Sequence, residues 1–145
     1  MLDHARDPRR RPPRPVLRPD RVRRLGPGVG FGWLDARLLR DDWLGALGPR
    51  DLAVYAFLCL VADREGVSFY RRDRIARALG LDEGEVACAL RRLGELDLVA
   101  YRPFGPHAAD GFRQVLSLPS GGPPAPPLLA ALGLGQGRRT GGPRP

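Results

Sequence analysis

The sequence predicts an α+β domain that is mainly α-helical and carries a small antiparallel β-sheet. Apolar residues recur with helical spacing over two consecutive segments, roughly 72–79 and 82–97, and Gly80 separates them. Two short β-prone segments follow, Val99–Arg102 and Phe112–Leu118. Two helices and then a hairpin, in this order, define the expected architecture.

The two ends of the chain differ in composition from its middle. We expect a domain over residues 31–118, with a disordered Arg/Pro/Gly-rich arm at 1–30 and a disordered Pro/Gly-rich tail at 119–145. Residues 1–24 hold nine Arg and three Asp, whereas residues 25–118 hold twelve Arg and thirteen acidic residues. The net charge of +8 therefore belongs to the ends. Flexible basic arms suit polyanionic partners.

The first half of the predicted domain is helical. Residues 31–47 resemble a short strand followed by a helix, and Pro49 is placed to begin a second helix over about 50–63. That second helix is apolar nearly all round, so neighbouring helices or a second subunit must cover it. The segment 67–70 is β-prone and predicts a first strand. The helix within 31–47 is predicted to present one broad apolar face, made of Leu38, Leu39, Trp43 and Leu47.

The centre of the domain is the pair of helices at 72–79 and 82–97. Gly80 supplies the permissive backbone that a tight turn between them needs. Asp82 is a good N-cap for the second helix, and acidic residues in the next turn favour the helix dipole. The loop Pro103–Gly111 then joins the two strands. This order of elements predicts a winged helix-turn-helix with disordered tails.

The second helix of this pair has two faces. At 100° per residue its core-facing side is predicted to hold Val86, Ala89, Leu90, Leu93 and Asp97. The opposite side carries small residues that permit a close approach to base edges, together with Arg91, whose reach matches guanine O6 and N7. Arg92 lies at the edge of that side, where it suits phosphate.

Further arginines flank the same region. Several crowd the start of the first helix, where guanidinium and backbone N–H groups suit DNA phosphates, and Arg102 and Arg113 flank the hairpin loop. The pattern therefore predicts double-stranded DNA as the partner. The candidate DNA-binding residues are Arg71, Arg72, Arg74, Gly84, Ala87, Cys88, Arg91, Arg92, Arg102 and Arg113.

One feature opposes DNA binding. The second helix begins with Asp82, Glu83 and Glu85, and carboxylates there repel phosphate. The folded part also has slightly more acidic than basic residues. The alternative is therefore a protein-interaction module that retains the fold without binding DNA.

The remaining function classes find little support in the sequence. His4 and His107 have no nucleophile at a recognisable spacing, and two Cys and two His on separate segments do not predict a metal site. We therefore expect a protein that is not an enzyme, with no cofactor, no metal and no evident small-molecule ligand. No apolar run approaches the length of a membrane span, so we expect no membrane partner and a cytoplasmic location. A homodimer is one way to cover the apolar helix at 50–63.

The motifs IARALGL at 75–81 and VACALRRLGELDLVAYRP at 86–103 resemble winged helix-turn-helix domains of bacterial regulators. The wider span resembles the amino-terminal domain of DnaD-like replication proteins of phages and plasmids, with Leu47, Asp51 and Tyr55 at the matching spacing. The resemblance implies duplex DNA binding by a transcriptional regulator or an accessory protein of a mobile or replicating element. Use of Arg without Lys is typical of a GC-rich bacterial genome. Those families usually have Ser or Thr where Arg71 stands, and small polar residues in place of the acidic start at 82–85.

Overall fold

A computed structural model describes residues 14–124, so residues 1–13 of the predicted arm and 125–145 of the predicted tail lie outside it. The chain divides into two units, with the boundary after Phe31. Within the first unit, residues 14–31 are exposed and contain one turn of 3₁₀ helix, Pro19–Arg21. Arg18 donates two hydrogen bonds to the carboxylate of Asp20, at 3.0 and 2.8 Å.

The second unit begins with two short helices, α1 (Arg37–Arg40) and α2 (Trp43–Ala46). The predicted strand and single helix over 31–47 were wrong, because the chain breaks at Asp42, whose φ of 62° is left-handed. The break also divides the predicted apolar face. Three of its residues are buried in the core, whereas Leu39 is 72% exposed; the buried ones are Leu38, Trp43 and Leu47.

The longest apolar helix is α3 (Pro49–Val61), and Pro49 is its first residue, as predicted. The Asp51 carboxylate accepts a hydrogen bond from the Gly48 N–H at 3.3 Å and so caps the start. One side of α3 is buried through Val54, Tyr55 and Leu58. The opposite side of α3 is not fully covered by the rest of the domain.

The helix-turn-helix consists of α4 (Arg72–Leu79) and α5 (Glu83–Glu95). Gly80 ends α4 with a left-handed φ of 67°, and Asp82 caps α5 by accepting the Glu85 N–H at 2.7 Å. Both features match the prediction. Asp97 does not, because α5 ends before it and it lies exposed with a φ of 60°. The core-facing side of α5 is fully buried at Val86, Ala89 and Leu93.

The sheet has three short antiparallel strands, β1 (Val67–Ser68), β2 (Val99–Pro103) and β3 (Gly111–Val115). Their spatial order is β1-β3-β2, so the last strand is central. The hairpin of β2 and β3 is the predicted wing, although β3 ends three residues earlier than predicted. Helices packed on one side of a small antiparallel sheet, with a hairpin after the second helix of the pair, confirm the winged helix-turn-helix.

The end of the described chain returns to the domain. Leu118 is buried, and Gly122 has a left-handed φ of 78°. A Cβ atom at Gly122 would lie 2.9 Å from the carbonyl oxygen of Asp41, so only glycine permits this approach. Residues 119–122, predicted as the start of the tail, therefore reach the α1–α2 connection. None of the helices within residues 14–124 is long and apolar enough to span a membrane.

Candidate nucleic-acid interface

The outer face of α5 has the composition that the sequence predicted. Gly84, Cys88 and Arg91 are exposed, and Ala87 and Arg92 are half-buried. The Arg91 Nε lies 3.9 Å from a carboxylate oxygen of Glu95, and both side chains are mostly exposed. An exposed ion pair of this length is weak, so the Arg91 guanidinium is available for another partner.

The acidic start of α5 is largely engaged by the protein itself. Asp82 is the N-cap, and a carboxylate oxygen of Glu85 lies 3.7 Å from a guanidinium nitrogen of Arg50 on α3. Capping and this ion pair explain two of the three carboxylates without reference to a ligand. The Arg50 guanidinium offsets part of the negative charge at this end of the helix.

The start of α4 places three predicted arginines together. Arg71 pairs with Asp73 at 3.3 Å, and the Arg72 Nε lies 3.4 Å from a carboxylate oxygen of Asp110. Arg74 is exposed, and no carboxylate of the described residues lies within 4.0 Å of it. This end of α4 therefore combines one unpaired guanidinium with two that are partly compensated.

The hairpin carries a separate cluster of exposed groups. The Arg102 guanidinium lies over the Phe112 ring, 5.7 Å from its centroid, and Phe104 packs edge-to-face on Phe112 at 5.0 Å. The Phe104 N–H donates to the Asp110 carbonyl at 3.0 Å and closes the loop between β2 and β3. Arg102 is exposed on the outer face of the sheet, as its predicted role requires.

Arg113 requires a correction, because it is only 6% exposed rather than lying on an open flank of the hairpin. It donates to the Tyr70 carbonyl oxygen at 3.3 Å and lies over the Tyr101 ring at 5.0 Å. Strand alternation turns Gly111, Arg113 and Val115 to the same side, toward the helices. Burial lowers the pKa of Arg113, and the Asp110 carboxylate opposes that effect.

Asp110 is a residue that the sequence prediction missed. Its carboxylate accepts the Arg72 backbone N–H at 3.0 Å, which ties the hairpin to the first turn of α4 across 38 residues. It is also the carboxylate nearest to both Arg72 and Arg113. The sequence contained one signal for this role, an Asp directly before a strand that begins with Gly. Only the fold shows that this Asp caps α4.

A groove of about 340 Å³ separates α5 from the hairpin. It brings together three of the predicted arginines, which lie on three different elements. Arg92 and Arg102 do not line it, and Gly84 and Cys88 lie elsewhere on α5. The residues that matter most for its chemistry are Arg72, Ala87, Leu90, Arg91, Tyr101 and Arg113. Within residues 14–124, no group of three or more His, Cys, Asp or Glu side chains is arranged to hold a metal ion.

No family model and no curated protein matches this sequence. Among solved structures, the chain is similar to NMB1585, a MarR family regulator from Neisseria meningitidis, with 17% sequence identity and a TM-score of 0.39. The match covers 55% of this chain and 53% of that regulator, so the chain spans about half the length of the protein it matches.

Proposed function

We propose that the protein binds duplex DNA, with α5 in the major groove and the hairpin and basic arm along the backbone. It acts in the bacterial cytoplasm by binding rather than by catalysis. Its role is transcriptional control or an accessory function of a mobile or replicating element. The observation that carries the proposal is the outer face of α5, where Arg91 stands among small residues beside the arginines that begin α4.

The chemistry of this face matches the edges of base pairs. Gly84, Ala87 and Cys88 leave room for α5 to approach, and a bidentate contact from Arg91 to guanine provides about 1–3 kcal/mol of discrimination. Replacing the weak Arg91–Glu95 ion pair by a contact with guanine costs little free energy. Arg71, Arg74, Arg92 and Arg102 then contact phosphates, which set the register but carry no sequence information.

The first test separates base readout from backbone attraction. A preferred site is selected from random duplexes, and the affinities of the R91A and R40A variants are compared on that site and on random DNA. Arg40 is an exposed arginine of α1, so its variant controls for the loss of one charge. We expect R91A to weaken the selected site more than random DNA, and R40A to weaken both equally. Equal losses for R91A would remove Arg91 from base readout.

The second test uses the cysteines as a footprint. Cys88 is exposed on the proposed DNA face, whereas Cys59 is half-buried in α3. Saturating duplex should slow alkylation of Cys88 by iodoacetamide and leave the rate at Cys59 unchanged. Unprotected Cys88 in a DNA complex would show that α5 is not the contacting helix.

A second candidate function is protein interaction without DNA. It is favoured by the ion pairs Arg91–Glu95 and Arg50–Glu85, which scatter the charge of α5 instead of leaving a continuous positive stripe. The same binding measurements decide between the two functions, because an interaction module shows no preferred duplex in the selection.

We also propose that two copies associate through an apolar surface. Trp33 is 72% exposed and Leu60 is 65% exposed. Trp33 directly follows Gly32, whose backbone lies against the end of α3, because a Cβ atom at Gly32 would lie 2.8 Å from the Leu60 Cα. A second copy would cover this surface and present a second α5 to an adjacent half-site of the same duplex.

Sedimentation of the full chain tests the dimer. We expect L60E to shift the protein toward monomer, and A100E, at an exposed position of β2, to leave the dimer intact. A wild-type monomer at all concentrations contradicts this part of the proposal without affecting the DNA measurements.

A further inference from the structure

The groove between α5 and the hairpin contains an unbalanced set of charges. Arg72 and Arg113 share one carboxylate, that of Asp110, at 3.4 and 4.0 Å. The side chains of Arg72, Arg113 and Asp110 are 30%, 7% and 21% exposed, so solvent screens this cluster only in part. Two guanidinium groups beside one carboxylate leave a surplus of one positive charge next to the β2–β3 loop.

The hydrogen-bond donors of the cluster are also not all used. The Arg72 Nε is buried and has no hydrogen-bond acceptor among the described residues, because its approach to Asp110 lacks the required geometry. Arg113 uses one terminal nitrogen for the Tyr70 carbonyl oxygen. The lowered pKa of Arg113 agrees with a guanidinium whose burial is not fully compensated.

The rest of the groove limits what can enter. Its α5 wall provides Ala87, Leu90 and the exposed Arg91, and its hairpin wall provides Val99 and Tyr101. The apolar side chains offer no hydrogen bonds, and the Tyr101 hydroxyl already donates to the Ala109 carbonyl oxygen at 3.5 Å, so a polar ligand depends mainly on the arginines. A volume of about 340 Å³ leaves ample room for one oxyanion of the phosphate class.

We propose that this groove is a binding site for a single oxyanion of the phosphate class, with Arg72 as its donor. Arg91, at the exposed rim of the groove, is a second donor to free phosphate; in the DNA complex it contacts guanine instead, so Arg72 alone holds the phosphodiester. Arg113 and Asp110 are positioning residues that hold Arg72 and the hairpin in place. The oxyanion is either a phosphodiester of DNA or free inorganic phosphate. Only the first source rests on the proposed DNA-binding function.

The ion is tested first, on the full chain without DNA. Thermal unfolding is followed in sodium phosphate and in sodium chloride at equal ionic strength, because a ligand that binds only the folded state raises the midpoint. We expect a higher midpoint in phosphate for the wild type. Because phosphate is excluded from protein surfaces and stabilises any folded protein somewhat, R72Q should retain only that general difference between the two salts. R77Q, an equal charge change at an exposed site on α4, should retain the full wild-type difference.

D110N provides the decisive variant, because its effect has the opposite sign. Its side-chain oxygen still accepts the Arg72 backbone N–H, but the competing negative charge is gone, so phosphate should raise the midpoint more than in the wild type. It is measured on fresh protein, since an amide before glycine slowly hydrolyses to the acid. If the cluster merely stabilises the hairpin, R72Q and D110N reduce the phosphate effect alike, and the proposal fails.

Two further outcomes overturn the site. One is a wild type whose midpoint rises no more in phosphate than that of R72Q, and the other is loss of the wild-type excess in R77Q. Should R72Q not fold, R91Q replaces it, because the Arg91 side chain is 72% exposed and its truncation does not disturb packing.

A DNA titration identifies the source of the oxyanion. If a phosphodiester occupies the groove, R72Q reduces the slope of log affinity against log salt by about 1. If free phosphate is the ligand, R72Q removes the excess phosphate effect of the wild type and leaves the DNA slope unchanged. Absence of DNA binding would refute the proposed function alone, because the ion measurement needs no DNA.

Discussion

Two glycines of this domain should respond to the same substitution with opposite signs. Gly80 has a left-handed φ of 67°, whereas Gly45 lies within α2 and is not among the glycines with positive φ. An added Cβ atom meets nothing within 4 Å at either position, so backbone conformation alone decides the outcome. We expect G80A to destabilise the fold by roughly 1–2 kcal/mol. G45A should stabilise it by about 0.4–1 kcal/mol, since alanine reduces the entropy of the unfolded chain.

Urea denaturation of the two variants measures both effects, and each serves as the control for the other. The same sign in both would mean that contacts, rather than φ, determine the response.

The two cysteines should differ in reactivity in the absence of DNA. Burial raises the pKa of the Cys59 thiol, so little of it is thiolate near neutral pH, and Cys88 is exposed. Iodoacetamide at neutral pH should therefore modify Cys88 first, as determined by peptide mass spectrometry. The rate at Cys59 should rise later with increasing pH, because a raised pKa delays formation of the thiolate. Modification of Cys59 before Cys88 would contradict the partial burial of Cys59 in α3.

For individual residues, the sequence predicted burial correctly within regular elements and incorrectly near the points where an element breaks or ends. Helical spacing placed Val86, Ala89 and Leu93 in the core correctly. The same counting placed Leu39 and Asp97 in apolar faces, but the chain breaks at Asp42 and α5 ends at Glu95. A helical projection at 100° per residue assumes a continuous helix, so it cannot show where a helix breaks or ends.

Among the elements, α5 depends on a single side-chain cap. Asp82 accepts the Glu85 N–H at 2.7 Å, and its own N-terminal position favours a negative charge. We expect D82A to lower the free energy of unfolding by about 1 kcal/mol. D82N should be nearly neutral, since asparagine caps equally well, and a large loss with D82N would assign the effect to charge instead. Circular dichroism during urea unfolding measures both variants.

The helix-turn-helix was predictable because its signals are local. The bounds of α4 follow from apolar spacing and from Gly80, which are read within a few residues. The tie between Asp110 and the first turn of α4 was not predictable, because its partners are 38 residues apart. For the same reason Arg113 was expected to be exposed, since its partner Tyr70 lies on a distant segment.

For the whole molecule, the distribution of charge predicts how salt acts on DNA binding. Residues 1–24 hold nine Arg, whereas the residues beyond 124 hold three. Log affinity should fall with log salt, with a slope of about −0.9 for each phosphate neutralised. Deletion of 1–24 should flatten that slope strongly, and deletion of 125–145 should flatten it less. An unchanged slope in the first deletion would show that the arm makes no phosphate contacts.

The order of the strands has a consequence for synthesis of the protein. Strand β3 lies between β1 and β2, and Val67 pairs with Gln114. A nascent chain can form α3, α4 and α5 from local contacts as they leave the ribosome, yet β1 and β2 have no partner until residues 111–115 emerge. The hairpin and its tether to α4 are therefore completed after all the helices. A chain released from the ribosome before Gly111 contains all the helices but lacks β3, the strand that pairs with both β1 and β2.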